Sequence, residues 1–303
     1  MDLRQLRYFL AVAERLHFTR AADHLGITQP PLTQQIHKLE QEIGAPLFRR
    51  LGRGVQLTAA GRALQADARR LLAAADQALL NAQAAASGHS GRIRLGFASS
   101  AVFHPRIAML LRAFRLNYPR VDLAPLESDS PALMAAVIND RLDAAFVRLP
   151  SNNNELHFEP VAREPLRLVL PATHRLSQAE AISVADVARE PLILAPPWTS
   201  TALYEAILGV FRQAGFEPLL GQQAPQVSSC PNLVASGFGI SLIPQSICQV
   251  RTTDVSYHPL SGQSPLISIV LATRRNELSP TVINLVGLVR DALHNPSPLP
   301  RPQ

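Results

Sequence analysis

The chain of 303 residues holds only two cysteines, Cys230 and Cys248. Two thiols cannot build a disulfide framework or a closed zinc site, so a pair of inert buried thiols is the expectation. No apolar run reaches the roughly 18 residues that a membrane span needs. The opening stretch, MDLRQLRYFLAVAER, has a short apolar core broken by Glu14 and Arg15. It lacks a small-residue cleavage site and does not read as a signal peptide, so the cytoplasm is the expected compartment and no membrane partner is expected. Catalytic patterns are also missing. There is no G-x-S-x-G elbow, and the nine histidines lack metal-ligand spacing. Gly237-Phe238-Gly239 lies between an expected helix and an expected strand, the reverse of the order a phosphate loop requires. The sequence therefore points to a binding protein without metal or cofactor rather than to an enzyme.

What is present is a soluble, globular composition, 47% hydrophobic and 17% charged, with length for two domains or three. The net charge of +6 is uneven: residues 1–58 carry +3, residues 59–92 carry +2, and the remainder only +1. A cationic amino-terminal third joined to a nearly neutral body is the electrostatic footprint of a nucleic-acid domain coupled to something else.

The stretch FTRAADHLGITQPPLTQQIHKL, residues 18–39, reads as two short helices joined by a tight turn. Thr19 is placed to cap the first helix and Thr28 the second, and Gly26 ends the first in the left-handed region. Pro30 and Pro31 fall in the first turn, where a missing backbone donor costs nothing. Leu32, Ile36, Leu39 and Ile43 recur at three- and four-residue steps and are expected to form a buried stripe. The opposite face carries Gln29, Thr33, Gln34, His37 and Lys38, with Arg20 nearby. Hydrogen-bonding side chains with cations and no carboxylate suit the major groove of double-stranded DNA, where base edges present donors and acceptors. This is the pattern of a helix-turn-helix whose second helix reads the DNA. Two short strand-like runs, Phe48 to Arg50 and Val55 to Leu57, then flank Gly52-Arg53-Gly54. They make a wing that offers Arg49, Arg50 and Arg53 to phosphates or a minor groove.

Thr58 is placed to cap an alanine-rich helix over residues 59–86. Its stripe Leu64, Ala68, Leu71, Ala75, Leu79 and Ala82 alternates close to three and four, as in a seam between helices, and predicts a dimer contact. SGHSG, residues 87–91, reads as a flexible joint. Beyond it, strands and helices alternate in two passes, one from Ile93 and one from about Leu166, with an expected strand at Gln223 to Val227. That alternation predicts two α/β lobes on parallel, doubly wound sheets. The tail NPSPLPRPQ is expected to be disordered. The expected division is a DNA-binding domain at 1–58, a dimerising linker and hinge at 59–91, a two-lobed binding domain at 92–294 and a tail at 295–303. Ligands of open sheets sit beyond the carboxyl ends of strands. Ser99, Ser100, Ser128, Ser130, Thr199, Thr201 and Ser228 fall at such ends, and Arg148 supplies a cation there.

LRQLRYFLAVAE, HFTRAADHLGITQPPLTQQIHKLEQEIGAPLFRR and GVQLTAAGRAL, with IRLGF, NDRLDAAF and LVASGFGISLIP later, resemble the LysR-type transcriptional regulators nearly throughout the chain. The resemblance implies a winged helix-turn-helix, a long linker helix, and a two-lobed α/β effector domain like periplasmic binding proteins. It implies a homodimer assembling to a homotetramer on an interrupted inverted repeat. A small coinducer, often an organic acid, would sit between the lobes, and RNA polymerase would be a further partner. By position, Gln29, Thr33 and Gln34 take the family's base-contacting places, with Pro30 alongside. Gln34 stands where arginine is frequent, so an arginine-to-guanine contact is lost there. Ser99 and Ser130 match positions where members that sense aromatic acids hold their effector. Three other readings stay open on sequence alone: a redox-sensing regulator using Cys230 and Cys248, a solute-binding protein, and an enzyme on an α/β scaffold.

Overall fold

The computed structural model describes residues 1–52, 54–149, 154–249, 252–262 and 264–294. Arg53 and the tail at 295–303 lie outside the described residues. Contacts group the chain into two compact units, Met1–Ala84 and Ala85–Gln303.

The first unit begins with α1 (Leu3–Arg15), started by a reciprocal capping box between Asp2 and Gln5. Then come α2 (Phe18–Leu25), α3 (Gln29–Ile43), the hairpin β1 (Phe48–Leu51) and β2 (Gly54–Leu57), and α4 (Ala59–Ala86). Phe9, Val12, Ala21, Leu32, Ile36, Leu39 and Leu47 form its core. Ala21 and Ala22, at most 1% exposed, let α2 lie close to its neighbours. Ile43 departs from the expected stripe: it is the last residue of α3 before the Gly44 cap and is 40% exposed. Thr19 is not a cap. α2 starts two residues earlier than a Thr19 cap would place it, with His17 at the cap position, which frees the Thr19 hydroxyl. Thr28 does stand at the cap position of α3, yet its side chain makes no capping bond. Thr58 caps α4 as expected, accepting from the Gly61 amide at 3.0 Å.

Gly54 closes the wing onto the α1–α2 turn. It sits at φ +98°, and a Cβ there would lie 2.5 Å from the Leu16 carbonyl oxygen. That same oxygen accepts from the Val55 amide at 2.9 Å. The stripe expected along α4 divides. Leu64 and Ala68 pack on the unit's own core, while Leu71 and Leu79 are 44% and 61% exposed; outside the stripe, Leu72 joins the core and Leu80 is 54% exposed.

The second unit holds β3 (Ser90–Ala98), α5 (Pro105–Asn117), β4 (Arg120–Ser128), α6 (Ser130–Ile138), β5 (Ala144–Leu149), β6 (Leu156–Pro171), α7 (Val184–Val187), β7 (Leu192–Leu194) and α8 (Thr201–Gln213). β8 (Leu220–Gln223), α9 (Cys230–Ala235), β9 (Ile240–Pro244), β10 (Val255–Pro259), β11 (Leu266–Arg274) and α10 (Pro280–His294) complete it. The strands run in the order β4-β3-β5-β11-β6-β9-β7-β8, with β10 also on β6. The sheet is mixed rather than purely parallel: β11 pairs antiparallel with β5 and β6, and β6 antiparallel with β9 and β10. The reason lies in β6, which begins ten residues before the expected second pass. Pro160 and Pro165 make that stretch read as loop, but the strand carries them. The strand expected at Gln223 to Val227 is instead β8, which ends at Gln223, followed by a single 3-10 turn at Val227–Ser229.

Two hydrophobic cores lie in this unit. One gathers Leu95, Phe97, Phe114, Phe146 and Leu271; the other gathers Leu168, Leu170, Leu194, Phe211 and Leu242. β6 and β11 contribute to both, so they define and join the two lobes. The joint at 87–91 is pinned to the first lobe rather than loose. Asn284 Nδ2 donates to the Ser87 carbonyl at 3.0 Å, His89 packs against Tyr118 at 5.2 Å between ring centroids, and a Cβ on Gly88 would lie 2.5 Å from the Pro280 backbone.

Candidate nucleic-acid interface and effector site

α3 presents two faces, as its sequence requires. Leu32, Ile36 and Leu39 are inside, while Gln29, Pro30, Gln34, His37 and Lys38 are exposed. Arg20 on α2 and Thr28 before α3 are exposed as well. Between α3 and the wing runs an open cleft of about 250 Å3, lined in part by Thr19, Gln29, Thr33, His37, Glu40 and Arg50. The Thr33 hydroxyl is buried there without a hydrogen-bond partner among the described residues. Alternation along β1 separates its arginines. Arg50 faces the cleft, whereas Arg49 Nε donates to Gln56 Oε1 at 2.9 Å across the hairpin. Glu40, which the sequence did not single out, joins the two elements. Its Oε1 accepts from the Leu47 and Phe48 amides at 2.8 and 3.3 Å, and its Oε2 lies 3.2 Å from His37 Nδ1. The carboxylate anchors the start of the wing to the reading helix.

In the second unit, the carboxyl ends of β3 and β5 bring part of the expected polar set together. Arg148 is 1% exposed. Its Nε donates to Ser100 Oγ at 2.7 Å, its Nη2 to the Ser100 carbonyl at 3.0 Å and to Glu164 Oε1 at 2.8 Å, and its backbone amide to Ser130 Oγ at 3.3 Å. Nη1 is buried with no partner among the described residues. The Ser130 amide donates to the Thr199 carbonyl at 3.3 Å, which ties this group to the second lobe. Ser99, which precedes Ser100 in the chain, is buried as well. Burial pulls the Arg148 pKa down and Glu164 opposes that shift. Burial likewise holds His104 below its ordinary 6.5, against the pull of Glu164 and with the push of Arg148 and Arg106.

Thr199 reaches this group through its carbonyl and not its hydroxyl, and among the described residues Thr201, Ser128 and Ser228 are not bonded to it. Thr199 and Thr201 turn their hydroxyls onto the Pro196 and Pro197 carbonyls at 2.7 and 3.2 Å, while Ser128 and Ser228 are half-buried at element ends. Glu164 and Ser246 were missed. Glu164 accepts from the Ser246 amide and hydroxyl at 2.6 and 3.0 Å, and Ser200 caps α8. No motif marks Glu164. The available signal was a lone arginine at a strand end, which on burial demands a counter-charge.

Comparison with known proteins decides the family. Residues 3–62 match the model of the bacterial regulatory helix-turn-helix protein of the lysR family, and residues 86–294 match the LysR substrate binding domain. The chain belongs to the LysR family of transcriptional regulators. It is 43% identical over 283 residues to the HTH-type transcriptional regulator BudR of Raoultella terrigena, covering 93% of this chain and 98% of that protein. It resembles the crystal structure of the LysR family regulator CbnR at a TM-score of 0.87, with 27% identity over 96% of this chain and 100% of that one. CbnR complexed with its target DNA matches at 0.84, with 27% identity over 96% and 99%. As a LysR-type regulator the protein binds DNA through its helix-turn-helix and responds to a small molecule through its second domain.

The redox alternative is not favoured. Burial pushes both Cys230 and Cys248 up to about 11, so neither thiol is ionised near neutral pH, as a sensing thiolate would have to be. No described helix is long and apolar enough to cross a membrane, and the relatives are named as regulators rather than enzymes.

Proposed function

We propose that this LysR-type regulator takes a small organic anion between its two lobes, at the group built on Arg148, and passes the occupancy to its DNA-reading helices. The observation that carries this reading is the Arg148 guanidinium, buried yet with Nη1 unpartnered among the described residues. Such a group has been desolvated without full compensation, and an anion supplies the missing acceptor. Ser99, Ser100 and Ser130 offer hydroxyls beside it, with Ser128, Thr199, Thr201 and Ser228 toward the rim.

On the DNA side, Gln29, Pro30 and Gln34 face the bases and Thr33 lies beside them with its hydroxyl turned into the cleft, while Thr19, Arg20, Thr28, His37, Lys38, Arg50 and Arg53 serve orientation and the phosphates. Residues 1–58 form the reading domain, 59–91 the linker, whose joint at 87–91 is held against the first lobe and bends only if those contacts give, and 92–294 the effector domain. The exposed leucines of α4 support pairing of two chains through that helix. Two such pairs make a tetramer on an interrupted inverted repeat, with RNA polymerase as a further partner. The protein works in the cytoplasm and turns over no substrate.

Calorimetric titration of the full chain with small mono- and dicarboxylates tests the effector assignment. Arg148→Met is expected to weaken a binding carboxylate at least about tenfold, the scale of a charge-assisted hydrogen bond. Ser130→Ala, a smaller change in the same group, is expected to weaken it less. A carboxylate that binds the wild type and both variants equally would overturn the assignment.

A further inference from the structure

The chain has 29 lysines and arginines together, and Lys38 is the only lysine. It lies exposed on α3, one turn beyond Gln34 on the outward face of the reading helix. Its ammonium group has no ion-pair or hydrogen-bond partner among the described residues. The acidic side chains that follow it on the helix are engaged elsewhere. Glu40 holds the Leu47 and Phe48 amides and lies against His37, and Glu42 pairs with the Met1 α-amino group.

We propose that Lys38 is a modification site, at which an acyl phosphate acylates the ε-amino group and so weakens the hold of this regulator on DNA. The inference rests on the phosphate-facing role proposed above for Lys38. A guanidinium is not deprotonated in proteins, whereas an amine is, so near neutral pH an acyl donor is attacked by amines and not by arginines. The chain offers that donor one side-chain amine, and it stands on the helix that meets the DNA. The neutral nitrogen attacks the acyl carbon and a C–N bond forms. The C–O bond to phosphate breaks, phosphate leaves with that electron pair, and the proton released from nitrogen goes to water. The amide that results carries no charge. A free ammonium neutralises a DNA phosphate and displaces a condensed counterion; the amide does neither. The arginines of α2 and the wing are untouched, so the loss is one defined step of charge rather than the collapse of the domain.

The test treats the full-length wild type and K38R with acetyl phosphate. Each is followed by peptide mass mapping and by gel shifts on a mixed-sequence duplex across a salt series, with circular dichroism confirming that it is folded. The wild type is expected to gain an acyl group on Lys38 and to bind with a salt dependence shallower by about 0.9 in slope for each chain on the DNA. That corresponds to a loss of roughly tenfold per chain at about 0.1 M salt. K38R keeps the cation but offers no side-chain amine, and the treatment is expected to leave its binding unchanged. Untreated K38Q, which lacks the charge, is expected to bind as the treated wild type does. A treated K38R that weakens as much as the wild type would overturn the proposal, because its remaining amino group is the one at Met1. So would a Lys38 left unmodified, or one acylated with no change in slope. A K38Q that binds like untreated wild type would remove Lys38 from the DNA contact itself, and the proposal with it. A K38Q that is weakened while Lys38 resists the acyl donor would leave that contact standing and dismiss the modification alone.

Discussion

Arg148 and Glu164 meet at 2.8 Å with side chains 0% and 4% exposed, and Ser246 completes the carboxylate's hydrogen bonds. Removing one member of such a pair leaves an uncompensated charge in a dry site. Glu164→Leu is therefore expected to destabilise the second unit by about 3–5 kcal/mol, measured by urea unfolding. The double variant Arg148→Met with Glu164→Leu is expected to recover most of that loss, since an apolar pair of similar volume needs no compensation. Additive losses would show that the two side chains are not coupled.

Glu40 fastens the wing through two backbone amides. Glu40→Ala leaves the Leu47 and Phe48 amides without that acceptor, and Leu47 is buried. The expected loss of stability in the first unit is about 1–3 kcal/mol, with Glu40→Gln losing less because it keeps an acceptor oxygen. The same variant is expected to weaken DNA binding by releasing Arg50 and its hairpin from the reading helix. Gel shifts at matched salt would measure this, and unchanged affinity would show that the wing finds its place without Glu40.

Stability should fall in two stages on acidification. His104 is held below its ordinary 6.5, chiefly by burial. A depressed pKa means the unfolded chain takes up the proton first. Stability is then fully present above pH 6.5 and is lost as pH falls toward the folded value. The second stage comes from Asp143 and Glu159. Burial pushes each carboxyl up, but Arg94 around Asp143, and Arg290 with His157 around Glu159, more than reverse it, so both lie below their ordinary 3.8 and 4.5. Their contribution is present above those values and disappears below them. Thermal melts of wild type and His104→Asn between pH 7.5 and pH 5, a range chosen to bracket the ordinary histidine value of roughly 6.5, should show a shallower slope for the variant. Equal slopes would remove His104 from the account.

Gly61 marks a tight approach of α4 to the wing. A Cβ there would lie 2.2 Å from the Leu47 carbonyl oxygen and 2.8 Å from Leu57 Cδ2. Because the closer obstacle is backbone, Gly61→Ala is expected to cost at least the roughly 1–3 kcal/mol typical of overpacking, despite the better helix propensity of alanine. An unaltered melting temperature would contradict the approach.

The first unit was legible in the sequence because its signals are local. Gly26 and Gly44 end helices, Pro30 falls where a proline belongs, and the three-four spacing of Leu32, Ile36 and Leu39 aims one face inward. What the periodicity could not tell was where a stripe stops being covered, so Ile43, expected on the buried stripe, is exposed, while Leu71 and Leu79, expected at a seam with another helix, are open on α4. In the second unit the helices and most strands were readable, but not their directions. Antiparallel pairing of β6 with β9 and β11 is a long-range choice that leaves no mark in a local pattern, and two prolines hid half of β6. The polar site was half visible for the same reason. Ser100, Ser130 and Arg148 lie at strand ends that the alternation predicts, while Glu164 and Ser246 arrive from strands and turns whose neighbours no local rule discloses.

β6 and β11 each thread both hydrophobic cores, entering one and finishing in the other. Neither lobe is therefore a separable piece of chain: cutting either one out would tear two continuous ribbons and bare the flank of whatever was left behind. Recombination that trades sensing halves among such regulators has to move the pair as an indivisible cassette, and any opening of the mouth between them must be taken up as flexing of two ribbons instead of rotation about a slack tether.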